Sequence, residues 1–229
     1  MHNRAEFRRE IKATAKENFK KQWGLSIMLP LLAVLIAFVG FAIGFAFIFS
    51  AWVLTLIIIW GVTVFVLLPL SIGLSQCFIK IYKQEKTEVS ELFSGFKGNY
   101  KRKLGGMAWM LLWIDIWAIA GFFTLGILAI IKGISYAMTP YILANCPNVK
   151  AKDALKLSMR MTQGYKMDLF VAELSFIGWL MLSALTLGIL PIIFTGPYMS
   201  TTFAGYYVKL KDKAIESGTI SKEEFYPED

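Results

Sequence analysis

Residues 25–79 read LSIMLPLLAVLIAFVGFAIGFAFIFSAWVLTLIIIWGVTVFVLLPLSIGLSQCFI, 55 residues without one Asp, Glu, Lys, Arg or His. As one α-helix the run would be roughly 80 Å long, whereas about 20 apolar residues cross a bilayer, so it has to fold back inside a membrane. It is read as a membrane hairpin. The leader before it, residues 1–24, carries seven Lys or Arg and sets a cationic edge against the apolar run.

Composition agrees with that solvent. The 229 residues are 56% hydrophobic, 15% aromatic and 17% charged, while soluble domains hold about 25% charged residues. The net charge of +8 collects in segments beside apolar stretches, where anionic headgroups are nearer partners than nucleic acid. Cys77 and Cys146 stand in or at the ends of apolar segments and His2 is the only histidine, so neither a disulfide framework nor a metal or cofactor site is expected. The leader is longer than a signal-peptide n-region and no small-residue cleavage site follows it, so the first span is expected to stay attached.

A span-length ruler gives an all-α, polytopic transmembrane bundle with helices near 25–49, 52–79, 104–124, 127–144, 169–187 and 191–208, six spans as three hairpins. Residues 104–144 contain Asp115 and Lys132 with only Gly126 to mark a turn, and one long tilted helix plus a re-entrant piece is the alternative there. Basic residues orient the stack. Residues 80–103 hold seven Lys or Arg, 147–168 hold five and the tail from 209 holds four, while the expected turns at 50–51, 125–126 and 188–190 hold none. Both termini are therefore expected in the cytoplasm of a multi-pass cell-membrane protein. Residues 211–229 read as a polar, acidic tail.

A basic amphipathic segment precedes each hairpin. In the leader Phe7, Ile11, Ala15 and Phe19 recur every four residues among Arg4, Arg8, Arg9, Lys12, Lys16 and Lys20, with Asn3 and Glu6 as cap and third helical residue. This predicts an interfacial helix whose cations contact anionic lipid. Lys101, Arg102 and Lys103 are the matching candidates before the third span. Thr124-Leu125-Gly126-Ile127-Leu128 returns as Thr186-Leu187-Gly188-Ile189-Leu190, and Pro69, Pro140 and Pro197 each interrupt the second helix of a hairpin. A threefold unit of cytoplasmic helix, span, turn and span follows.

Charged residues deep in a span are the sharpest chemical candidates, because burying one in lipid costs about 2.5 to 3.5 kcal/mol on insertion scales. Asp115 and Lys132 lie at similar depth on either side of the turn near residue 125, so they are expected to meet, as a structural ion pair or as a proton or ion relay. Trp109, Trp113 and Trp117 form an i, i+4, i+8 stripe about 200° round the helix from Asp115. If Asp115 avoids lipid, the tryptophans face lipid or a neighbouring protein; an aromatic-lined ligand pocket is the alternative. Lys132, Ser135, Tyr136 and Thr139 share one helix face, and Thr195, Tyr198 and Thr202 share another, polar stripes read as interhelical glue or as a substrate path. Glu173 stands close to the cytoplasmic boundary, within reach of Lys166.

The sequence holds no phosphate loop, nucleophile elbow, zinc-protease motif or close carboxylate pair, so an enzyme is not expected. Several strings resemble an uncharacterised bacterial family of six-helix integral membrane proteins, domain-of-unknown-function family 975: the basic helix 4–24 ending in Gln22-Trp23-Gly24, Pro140-Tyr141-Ile142-Leu143-Ala144-Asn145, Ala154-Leu155-Lys156-Leu157-Ser158, Leu174-Ser175-Phe176-Ile177-Gly178-Trp179 and Gly196-Pro197-Tyr198. The resemblance implies a plasma-membrane location and six spans, and it brings no reaction and no site. A scaffold or accessory subunit with a lipid- and partner-binding cytoplasmic face is the expectation, with a small transporter using Asp115, Lys132 and the polar stripes as the alternative.

Overall fold

The computed structural model describes residues 4–45, 52–122, 124, 126–186 and 190–227, and every regular element among them is a helix. His2, Asn3, Leu125 and residues 50–51 and 187–189, on which the expected N-cap, the turns and part of the five-residue repeat fall, lie outside the described residues. The order is α1 (Arg4–Lys21), α2 (Trp23–Phe45), α3 (Trp52–Val62), a π turn (Thr63–Leu67), α4 (Leu68–Lys83), a 3-10 helix (Val89–Phe96) and α5 (Tyr100–Phe122). Then come α6 (Ile127–Tyr136), α7 (Thr139–Asn145), α8 (Ala151–Met161), α9 (Lys166–Leu185), a second π turn (Pro191–Thr195), α10 (Gly196–Glu216) and α11 (Lys222–Phe225).

Among the described residues four helices are long and apolar enough to cross a membrane: Trp23–Phe45, Trp52–Lys83, Tyr100–Phe122 and Ile127–Asn145. The last two occupy most of the region 104–144, which the sequence reads as two spans or as one long helix plus a re-entrant piece. The remaining expected spans coincide in sequence with α9 and with the second π turn continued by α10. Gly126 ends α5 at φ 82°, and its N–H donates to Gly121 O at 2.8 Å. A side chain would strain that left-handed position, which is why the turn falls on a glycine.

Each expected proline interruption has a defined form. Pro69, Pro140 and Pro197 are the second residues of α4, α7 and α10, positions where the missing N–H and the ring's clash with the preceding turn do no harm. A π turn lies ahead of the first and third of these helices, with Leu68 N donating to Thr63 O and Gly196 N to Pro191 O. Ahead of Pro140 the helix is broken outright, and a hydroxyl from another element mends it. Ser158 Oγ on α8 donates to Ser135 O at 2.7 Å and accepts from Met138 N at 3.2 Å. One side chain thus bonds two of the backbone groups at the break, and Thr162 Oγ1 reaches Ser135 O as a second donor at 3.5 Å.

The amphipathic segments dock on protein, each against the unit before its own. The 3-10 helix lies backbone to backbone on α4: a Cβ at Gly73 would stand 1.8 Å from Leu92 O, and one at Gly95 1.8 Å from Pro69 O. α8 packs on α5, α6 and α7. α1, which opens the chain, packs on α10 near its end, where Phe7 meets Tyr206 at 6.1 Å and Lys209 donates to Glu10 at 2.8 Å. Three contacts of one kind close the chain into a ring. The apolar stripe of α1 is turned to protein and not to lipid: Phe7, Ile11, Ala15 and Phe19 are buried, matched by α10 and α4.

α4 is the hub, in contact with α1, α2, α5, α7, α10 and the 3-10 helix. Tyr206, Tyr207, Phe19, Phe176 and Phe225 are among the largest fully buried side chains. Elsewhere the helices are apolar outward: Phe38 is 69% exposed, Ile119 70% and Phe122 84%. A core on one side and bare apolar helices on the other is what a bundle with lipid as part of its solvent requires.

Candidate functional site: a tryptophan and lysine groove

α5 turns its Trp109, Trp113 and Trp117 toward α6 and α8, and Asp115 to the outside. Successive rings in the ladder stand 6.0 and 6.5 Å apart. Trp117 Nε1 donates to Tyr136 Oη at 3.0 Å, which locks the innermost indole to α6. Lys132 Nζ on α6 sits 4.4 Å over the Trp117 ring, and Lys152 Nζ on α8 sits 4.9 Å over Trp109. Leu155, Lys156 and Met159 complete a groove of about 330 Å³. α8 passes α5 beside Gly105, where a Cβ would make an ordinary contact 4.0 Å from Ala151 Cβ.

Two expectations are overturned here. Asp115 and Lys132 do not meet: Asp115 is exposed on the face of Leu112, Ile116 and Ile119, and no ion pair to it is present among the described residues. The tryptophans face inward, not toward lipid. The angle of about 200° between Asp and Trp holds, and the lysines meet the indole faces, which attract a cation without cancelling its charge.

Of the predicted polar stripes, only Lys132 and Tyr136 share this groove. Ser135 Oγ donates to Ile131 O at 2.7 Å and Thr202 Oγ1 to Tyr198 O at 2.8 Å, so both bond their own helix and not a neighbour. Thr139 Oγ1 and Thr195 Oγ1 are buried without a partner among the described residues. Tyr198 packs among Phe19, Phe176 and Phe194. Glu173 is half-buried.

The candidate lipid-contacting cations divide into two groups. Arg4 and Arg8 hold the buried Asp168 at 2.8 and 2.6 Å. Lys12 donates to Ser175 Oγ at 2.6 Å, and burial lowers its pKa. Arg102 donates to the carbonyls of Leu143, Cys146 and Val149 at 3.0, 3.0 and 2.6 Å, capping the end of α7, and Lys103 donates to Ser94 O and Lys97 O. Arg9, Lys16, Lys20 and Lys101 remain exposed.

Sequence reasoning missed Asp168, Ser158, Lys152 and Lys156. An acid in the first turn of a helix and a serine on an amphipathic helix are ordinary, and nothing in their spacing marks a distant partner. Lys211 was missed too: it is buried, donating to Asn145 Oδ1 at 3.1 Å and Tyr226 Oη at 2.5 Å. Beside it Cys146 keeps its proton, since burial pushes the thiol pKa up. The tail is pinned by Arg160 to Glu224, and that hydrogen bond holds the Glu224 carboxyl below its usual range.

All-helical architecture, membrane-compatible apolar helices and a groove of lysines and tryptophans define the class of protein. Residues 105–214 match the family model described as Protein of unknown function (DUF975), which supports the resemblance read from the sequence strings. The match takes in every residue of the groove. Neither the curated proteins nor the solved structures compared with the chain provide a match.

Proposed function

We propose that the protein is a non-enzymatic, six-span protein of the plasma membrane, with both termini cytoplasmic, that serves as a scaffold or accessory subunit. Its basic side holds anionic lipid and recruits a membrane-protein partner. The observation that carries the reading is the division of the surface: exposed Arg9, Lys16, Lys20 and Lys101 at the amphipathic segments, and bare Phe38, Ile119 and Phe122 on the helices. Cations of this kind gain about 1 kcal/mol each beside an anionic leaflet. In nanodiscs of rising anionic-lipid content the wild type should draw anionic lipid around itself, and Arg9→Gln/Lys16→Gln/Lys20→Gln should do so less. Equal enrichment by both proteins would defeat the reading.

The rival, a small transporter, rested on the polar stripes and on an Asp115 and Lys132 pair. With no ion pair between those two among the described residues, the scaffold reading expects Asp115→Asn to leave any flux or resistance phenotype unchanged, and loss of such a phenotype would favour the transporter.

A further inference from the structure

The groove has an occupant that its chemistry specifies. Three ammonium groups, Lys132, Lys152 and Lys156, line a space walled by three indoles. Lys132 and Lys152 rest on aromatic faces, no acid is among the residues that line the groove, and Asp153 touches Lys156 at 3.2 Å from its own helix. The site therefore keeps an excess of positive charge beside an apolar wall. Water alone does not suit such a wall, and a soluble anion makes no use of it. An amphiphile with an anionic head uses both.

We propose that this groove binds one anionic phospholipid, its phosphate among the three lysines and its glycerol and first methylenes against Trp109, Trp113 and Trp117. The volume of about 330 Å³ lies at the small end of ligand sites, enough for a headgroup and the start of the chains, whose remainder leaves along the exposed apolar flank of the helices. Indoles suit the junction of headgroup and hydrocarbon because they are apolar with one N–H, and here the N–H of Trp117 is already committed to Tyr136. The lipid thus meets ring faces and ammonium groups. Bound there, it bridges α5, α6 and α8, three elements of two successive units.

This inference rests on the membrane reading above but not on the exposed collar. The test is native mass spectrometry of full-length protein released from nanodiscs of phosphatidylcholine with a minor share of phosphatidylglycerol. Wild type should retain one phosphatidylglycerol in preference to phosphatidylcholine. Lys152→Gln/Lys156→Gln should lose at least about tenfold in that retention, given about 1 kcal/mol per cation, and Lys152→Arg/Lys156→Arg should keep it. Brominated phosphatidylglycerol should quench the ladder tryptophans, an effect reduced in Trp113→Leu. Retention unchanged in the glutamine variant, or equal for both lipids, overturns the site. The collar variant Arg9→Gln/Lys16→Gln/Lys20→Gln should keep the single retained lipid while losing bulk enrichment, so failure of the site and failure of the wider function show as different results.

Discussion

Ser158 shows how much one hydroxyl can carry when a helix is broken indoors. Without it Met138 N keeps no side-chain partner in a buried setting and Ser135 O keeps only the longer one from Thr162 Oγ1 at 3.5 Å, a cost of about 1–3 kcal/mol. Ser158→Ala should lower stability by about that amount in detergent thermal unfolding, while Ser217→Ala, removing a hydroxyl that bonds near its own helix end, should change it by less than about 0.5 kcal/mol. The sequence shows the break, since Pro140 announces it, and does not show the mend, since a serine on α8 has the same neighbours in sequence whether it faces water or a gap. The same limit explains the groove. Spacing fixes that Trp113 and Asp115 point apart; which of them points inward depends on α8, whose place is set by tertiary packing.

At the scale of elements, α1 is held by its apolar stripe and by a clamp of Arg4 and Arg8 on Asp168, which is 1% exposed while Arg4 is 58% exposed. Removing the acid leaves Arg8 partly buried with its partner gone, a change that costs about 3–5 kcal/mol for fully buried pairs and less here because Arg4 can turn to water. Asp168→Ala should raise hydrogen exchange in α1 far more than in α4; equal effects would mean that the clamp stabilises the bundle at large. The helices themselves were legible, because apolar length and proline position dictate them: α2, α5 and the α6 and α7 pair fall where the span ruler puts them. The amphipathic segments were legible as helices but not in their docking. A stripe of Phe7, Ile11, Ala15 and Phe19 fits a lipid surface or a protein groove equally well, and only the presence of α10 decides.

For the whole molecule, stability is concentrated where side chains are enclosed. Phe19 is fully buried and Phe38 is 69% exposed. In nanodiscs Phe19→Ala should cost about 3–5 kcal/mol, and Phe38→Ala should cost little, because lipid solvates that ring as well as protein does. Equal losses would place Phe38 in an interface. The threefold order of elements could be read from the repeat of proline, turn and basic segment, while the ring it forms could not, since no local pattern says that the first helix meets the last. That closure has a consequence for biosynthesis. In synthesis α4 follows α1 closely, whereas α10 comes more than a hundred residues after α4, so the greasy stripe of α1 gains one of its two shelters early and the other only late. The ring is sealed only when α10 arrives.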